Sequence, residues 1–198
     1  MVYRTTLACP PRFQWEASSG SFQCSQAVNC GPTGSVQQAD FYKDRTFPIE
    51  RSRTRVGIQR CRPTTYLEQA AILRDRGVPC DPTVLTSLKQ LDAALGPRPF
   101  RRPIGIGVLM SRMSAATRGH SFLGWHRITI LARAKRRRKD GRIVRGYIYT
   151  DPNFSPPGGH RPDPKRGRRF IRRSELRYAF IENQPAIAIV PRRRKRID

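Results

Sequence analysis

No run of about eighteen apolar residues occurs in the 198-residue chain, so no membrane-spanning helix is expected. The first residues, Met1 to Ala8, also lack the apolar centre of a secretory signal, and the reading expects a protein made in the cytoplasm. Cysteine is scarce and poorly spaced for metal. Its five positions (9, 24, 30, 61 and 80) include no CxxC pair and are odd in number, so neither a zinc site nor a disulfide framework is expected. Acidic residues are few, 14 against 39 basic ones, for a net charge of +25. Lysine is rare too, with six residues against 33 arginines. No internal repeat is present, and nothing in the sequence calls for a cofactor.

What is present suits one domain of moderate size with extensions. Hydrophobic residues make up 37%, and glycine and proline together number 32, so a fair part of the chain is loop. The expected division is an irregular lead-in over 1–21, one domain over 22–190 and a basic tail over 191–198. Arginine's planar fork suits phosphate, although a GC-rich genome also raises arginine content. The charge is uneven: residues 133–198 carry 21 basic and 6 acidic side chains. Arg136, Arg137, Arg138 and Lys139 on an expected hairpin, with Arg192, Arg193, Arg194, Lys195 and Arg196 in the tail, are the polyanion-facing candidates, with nucleic acid or an acidic surface as partner.

The local grammar predicts an α+β chain, helices first and sheet later. Asn29-Cys30-Gly31-Pro32 reads as a turn opening a helix with Val36, Ala39 and Tyr42 on one face. A second helix is expected over 49–56. The third has the clearest signals: Thr64 or Thr65 as cap, Glu68 completing a capping box, Gly77 as stop, and Leu67, Ala70, Ala71 and Ile72 as buried stripe. A helix over 82–95 with Asp81 as cap follows. The period then changes. Ile104 to Met110 alternates apolar residues with glycine, 125–132 and 142–150 read as strands around a basic hairpin, 169–174 leads into a helical turn over 174–180, and 186–190 is a last strand.

One cysteine stands apart. At a helix N-terminus, unpaired N–H groups and the helix dipole favour a thiolate, so Cys30 is the candidate nucleophile. A cysteine nucleophile needs a base, a group that orients the base, and oxyanion donors. His126 opens one strand and Asp151 ends the next, which provides the first two. Gln26 or Gln23, just ahead of Cys30, provides a donor, with Gln26 preferred. His120 and His160 lie in expected loops, and Cys9, Cys24, Cys61 and Cys80 are read as packing or incidental thiols.

The Gln followed by Asn29-Cys30-Gly31-Pro32, the histidine leading Arg127-Ile128-Thr129-Ile130, and Tyr147-Ile148-Tyr149-Thr150-Asp151-Pro152 closing the next strand together resemble the papain-like cysteine peptidases, in the branch that includes the double-glycine, bacteriocin-processing enzymes. The resemblance spans about residues 22–153. It implies a papain-like fold, with Cys30 as nucleophile, His126 as general base and acid, Asp151 as orienter and a glutamine as oxyanion donor. Such relatives usually have glycine directly before the histidine. Here Trp125 intervenes, and it is expected to narrow access to the base. Small size and arginine richness are similar to papain-like proteins of tailed bacteriophages, which implies a virion or tail location, partners among virion proteins, and a peptide or peptidoglycan substrate.

Overall fold

The computed structural model describes residues 30–58, 62–97, 100–119, 122–153, 168–182, 185–192 and 195–196. Three helices come first: α1 (Cys30–Lys43), α2 (Ile49–Arg55) and α3 (Tyr66–Asp75). Then follow β1 (Cys80–Val84), α4 (Leu88–Leu95), β2 (Phe100–Arg101), β3 (Ile104–Leu109) and the short α5 (Ala115–Arg118). The long β4 (Trp125–Arg137) pairs with β5 (Ile143–Thr150), and β6 (Arg168–Arg172) leads into α6 (Arg173–Leu176) and a wide turn over Arg177–Ile181. β7 (Ile187–Pro191) and β8 (Lys195–Arg196) close the described chain.

The helix α3 forms where its caps dictate. The Thr65 hydroxyl accepts from the Glu68 backbone N–H, and the Glu68 carboxylate accepts from the Thr65 N–H at 2.8 Å. The reciprocal pair satisfies two donors that a helix start otherwise leaves unmet, typically ~1 kcal/mol. Its inward face is Gln69, Ala70, Ile72 and Leu73, so Ala70 and Ile72 are buried as expected, Tyr66 and Ala71 are only partly buried, and Leu67 is 68% exposed. Leu67 therefore does not belong to the buried stripe: helical spacing puts positions 66, 69, 70, 72 and 73 on one arc, and Leu67 falls outside it.

The helix expected over 82–95 is corrected at its start. Cys80–Val84 is a strand paired antiparallel with β7, and α4 begins only after Ser87, whose hydroxyl accepts from the Gln90 N–H. Asp81 is consequently a strand residue. A partner strand far along the chain outweighs helical spacing in a segment that includes Pro82, which cannot continue a helix interior. The tail expected from residue 191 is also partly structured. Pro191 ends β7, Arg192 Nε donates to Asp81 at 2.7 Å, and Lys195–Arg196 pairs with Phe100–Arg101.

Six strands form an antiparallel sheet in the order β1-β7-β3-β4-β5-β6, so β3 to β6 are a meander and β7 is inserted beside β3. The molecule is thus α+β, with the sheet as its middle layer. On one face α4 and the Arg177–Ile181 turn cover Ile104, Ile106, Val108, Ile128, Ile130, Tyr147 and Tyr149. On the other, α1, α2 and α3 bury Val36, Ala39, Ile49, Ala70, Ile72 and Leu73 with Ile189. The alternation of β3 now has a cause. Its isoleucines and valine fill one core, and its glycines lie beneath the N-terminal helices, where side chains from α3 and β4 occupy the room a Cβ would need.

Candidate active site

The strand β4 starts at the same end of the sheet as the α1 N-terminus, and this places Cys30 and His126 together. His126 is buried, 5% exposed, and its Nε2 lies 2.6 Å from Asp151 Oδ1, itself fully buried directly after β5. The Asp151 carboxylate is fixed by a second donor, the Asn153 N–H at 2.8 Å. Next to it, Thr150 donates from its hydroxyl to Gln37 Oε1 at 2.8 Å, tying the end of β5 to α1, the helix that Cys30 opens. The Cys30 thiol hydrogen-bonds the His126 ring. With Nε2 taken by the carboxylate, Nδ1 is the nitrogen left to serve the sulfur.

The electrostatics follow from these contacts. Burial works against charge on Cys30, but the His126 ring beside it, the Arg127 backbone N–H and the Arg127 cation hold the thiol below its ordinary value. Burial likewise opposes charge on His126, but the Asp151 carboxylate and the Cys30 sulfur outweigh it and raise the ring to about 10. The arrangement therefore favours a thiolate beside an imidazolium. Cys80 shows the opposite case. It is buried against Ala70, to whose carbonyl its thiol donates at 3.5 Å, and burial pushes it up to about 11.

Cys30 is only partly buried and opens on a pocket of about 550 Å³. Tyr66, Gln69, Phe122, Trp125, His126 and Pro185 are among its walls. The Phe122 ring meets the His126 ring edge-on at 5.9 Å between centroids. Trp125 stands in the same wall as His126, 52% exposed. Gly31 allows α3 and the residues before it to approach the start of α1: a Cβ there would lie 2.2 Å from Thr64 Oγ1 and 2.7 Å from Gln69 Nε2.

Of the residues expected in the site, Cys30, His126 and Asp151 are brought together. Gln26 and Gln23 lie outside the described residues, as do Cys9, Cys24, Cys61, His120 and His160. Of the polyanion candidates, those of the hairpin lie at the end of β4 opposite His126. Arg136, Arg137, Arg138 and Lys139 are all exposed there, and Arg138 makes a loose 3.9 Å pair with Asp140. Arg192 is engaged by Asp81, Arg193 and Arg194 lie outside the described residues, and Lys195 and Arg196 belong to β8. Among the described residues no group of three or more His, Cys, Asp or Glu side chains could hold a metal ion, and no helix is long and apolar enough to cross a membrane.

Sequence reasoning missed Arg127, Gln38 and Gln69. Arg127 is 3% exposed, its Nη2 donates to Gln38 Oε1 at 2.7 Å, and its Nη1 donates to Gln69 Oε1. The signal was available in principle as one charge inside an apolar strand. A single arginine among 33 did not stand out. No protein-family model, curated protein or solved structure matches this chain.

Proposed function

We propose that this chain is a thiol hydrolase with a papain-like arrangement, cleaving peptide or isopeptide bonds. The observation that carries the reading is the convergence of Cys30, His126 and Asp151 from distant parts of the chain, with Cys30 and His126 lining one pocket, Asp151 buried behind the ring, and hydrogen bonds running from thiol to imidazole to carboxylate. In this reading the Cys30 thiolate attacks a carbonyl carbon, and His126 gives its proton to the leaving amine. Water then attacks the thioester with His126 as base, releasing the acid and restoring the thiol. Asp151 keeps the ring in the productive tautomer. The aromatic and proline walls suit an uncharged stretch of substrate. A peptidoglycan stem peptide or a virion partner protein, with the chain carried in a phage particle, is the context that the sequence resemblance suggests.

The direct test is acyl-enzyme formation with an activated ester such as p-nitrophenyl acetate. A burst of about one nitrophenolate per chain is expected, absent from Cys30→Ala and His126→Ala. Equal, slow release by all three proteins would sink the reading.

A second reading has its own observation. Arg136, Arg137 and Lys139 make no ion pair among the described residues and are crowded on one exposed hairpin. Such a cluster suits a non-catalytic role in binding nucleic acid or another polyanion. Binding to DNA that weakens steeply with salt and is lost in an Arg136→Ala/Arg137→Ala/Lys139→Ala triple variant would support it. Salt-independent binding would remove it.

A further inference from the structure

Arg127 follows His126 in β4, and its side chain runs under α1 rather than into solvent. A Cβ on Gly105 would lie 1.5 Å from Arg127 Nη2, and one on Gly34 would lie 3.2 Å from Arg127 Cγ. Two glycines, one on each flanking element, therefore leave the space that this side chain fills. Both partners of its guanidinium are neutral amides. Gln38 is fixed by donating to Pro103 O at 2.8 Å and Ile189 O at 3.3 Å, and Gln69 by donating to Thr64 O at 3.1 Å. Both amides are thereby oriented with their oxygens toward the cation. Among the described residues no carboxylate pairs with Arg127, and its Nε has no hydrogen-bond partner. An enclosed cation without an anion is costly, and protein interiors seldom keep one without a use.

Among the described residues, the groups able to carry negative charge that face Arg127 are Cys30 on α1, Tyr66 on α3 and Cys80 on β1. Burial raises both the Tyr66 hydroxyl and the Cys80 thiol, so at neutral pH both are uncharged. Asp40, the other acid of α1, accepts from the Phe47 N–H at 2.8 Å, well along the helix from Cys30. Cys30 is left as the anion opposite the cation. It also receives the Arg127 backbone N–H, so main chain and side chain of one residue act on the same sulfur.

The geometry points to Arg127 as a positioning residue for the nucleophile, a fixed cation at the thiol end of the Cys30, His126 and Asp151 series that holds Cys30 as thiolate. The inference rests on the hydrolase reading above. Its physical content is an alternation of charge, with Arg127 positive, Cys30 negative, His126 positive and Asp151 negative. Moving the proton from sulfur to imidazole then leaves each new charge flanked by opposite ones. Arg127 borders the pocket beside Cys30, but it is 3% exposed and its guanidinium is held by the Gln38 and Gln69 amides, so its action is assigned through the sulfur; burial leaves it at about 10, still charged at neutral pH.

The test reads the Cys30 ionisation directly. The rate of Cys30 alkylation by iodoacetamide, resolved from the other cysteines by peptide mass spectrometry, is followed against pH in the full chain and its variants. In Arg127→Met the midpoint is expected to rise by about one to two pH units, with the high-pH plateau unchanged, and in Arg127→Lys to return most of the way. Gln38→Glu keeps the arginine but pairs its charge inside the pocket, and its midpoint should rise in the same direction. A folded Arg127→Met with an unshifted midpoint overturns the inference. Should that variant fail to fold, an unshifted Gln38→Glu overturns it. The two readings separate cleanly. A low midpoint that His126→Ala raises and Arg127→Met leaves alone rejects the role of Arg127 only, while an ordinary midpoint in the unaltered chain rejects both.

Discussion

Cys30 and Cys80 both sit against the N-terminal helices, and burial pushes both toward the neutral thiol. They part because of what faces the sulfur. Cys80 meets a backbone carbonyl, an acceptor that does nothing to stabilise an anion, and its thiol rises to about 11. Cys30 meets an imidazole and a backbone N–H in addition to the Arg127 guanidinium that both thiols face, and its thiol falls below its usual value although burial opposes charge there too. Enclosure by itself makes a thiol inert. Reactivity requires donors and cations arranged within that enclosure.

The change that breaks this contrast most completely is His126→Ala. Cys30 then keeps its burial but loses its proton acceptor, and its alkylation at pH 6 should fall about 100-fold, toward the behaviour of Cys80, as site-resolved mass spectrometry would show. Asp151→Asn preserves shape while removing charge, and should cost about tenfold in the same assay. It also has a signature in stability. His126 is raised in the fold to about 10 from an ordinary 6.5, so the pair's contribution is fully present below the ordinary value and is lost as pH rises through about 10. Denaturant titrations at pH 6 and pH 10 should show Asp151→Asn losing ~2 kcal/mol at the lower pH and much less at the higher one.

Gly105→Ala sharpens the comparison from the other side. Its Cβ would meet the Arg127 guanidinium at 1.5 Å, so the variant should lose ~1–3 kcal/mol of stability and raise the Cys30 midpoint together, while Cys80 stays unreactive. The smallest effect is expected from Cys80→Ala. About 1 kcal/mol of stability is lost through packing, and Cys30 alkylation is unchanged, which would establish that the two thiols are independent.

The legible parts of the site were those with local rules. Asn29-Cys30-Gly31-Pro32 announces a helix start, and a histidine and an aspartate at the ends of neighbouring strands are visible as strand termini. Gln38, Gln69 and Arg127 were not legible as a group. They come from α1, α3 and β4, and each has an ordinary reading alone: a polar helix position, another, and one arginine among many. Only packing shows that two amides and two glycines surround one cation.

The sequence by itself determined the short-range elements. Thr65 and Glu68 cap α3, the isoleucine and glycine alternation makes β3, and the apolar runs of β4, β5 and β7 become strands, because capping, side-chain alternation and β-branching act over a few residues. Tertiary structure alone decided that Cys80–Val84 would be a strand rather than a helix start, since that outcome depends on the ladder offered by Ile187–Pro191 more than a hundred residues on. It also decided that Lys195–Arg196 would pair with Phe100–Arg101, and that Arg127 would turn inward. Strand pairing and the placement of a buried charge are settled by partners distant in sequence, and the energies that fix them exist only once those partners meet.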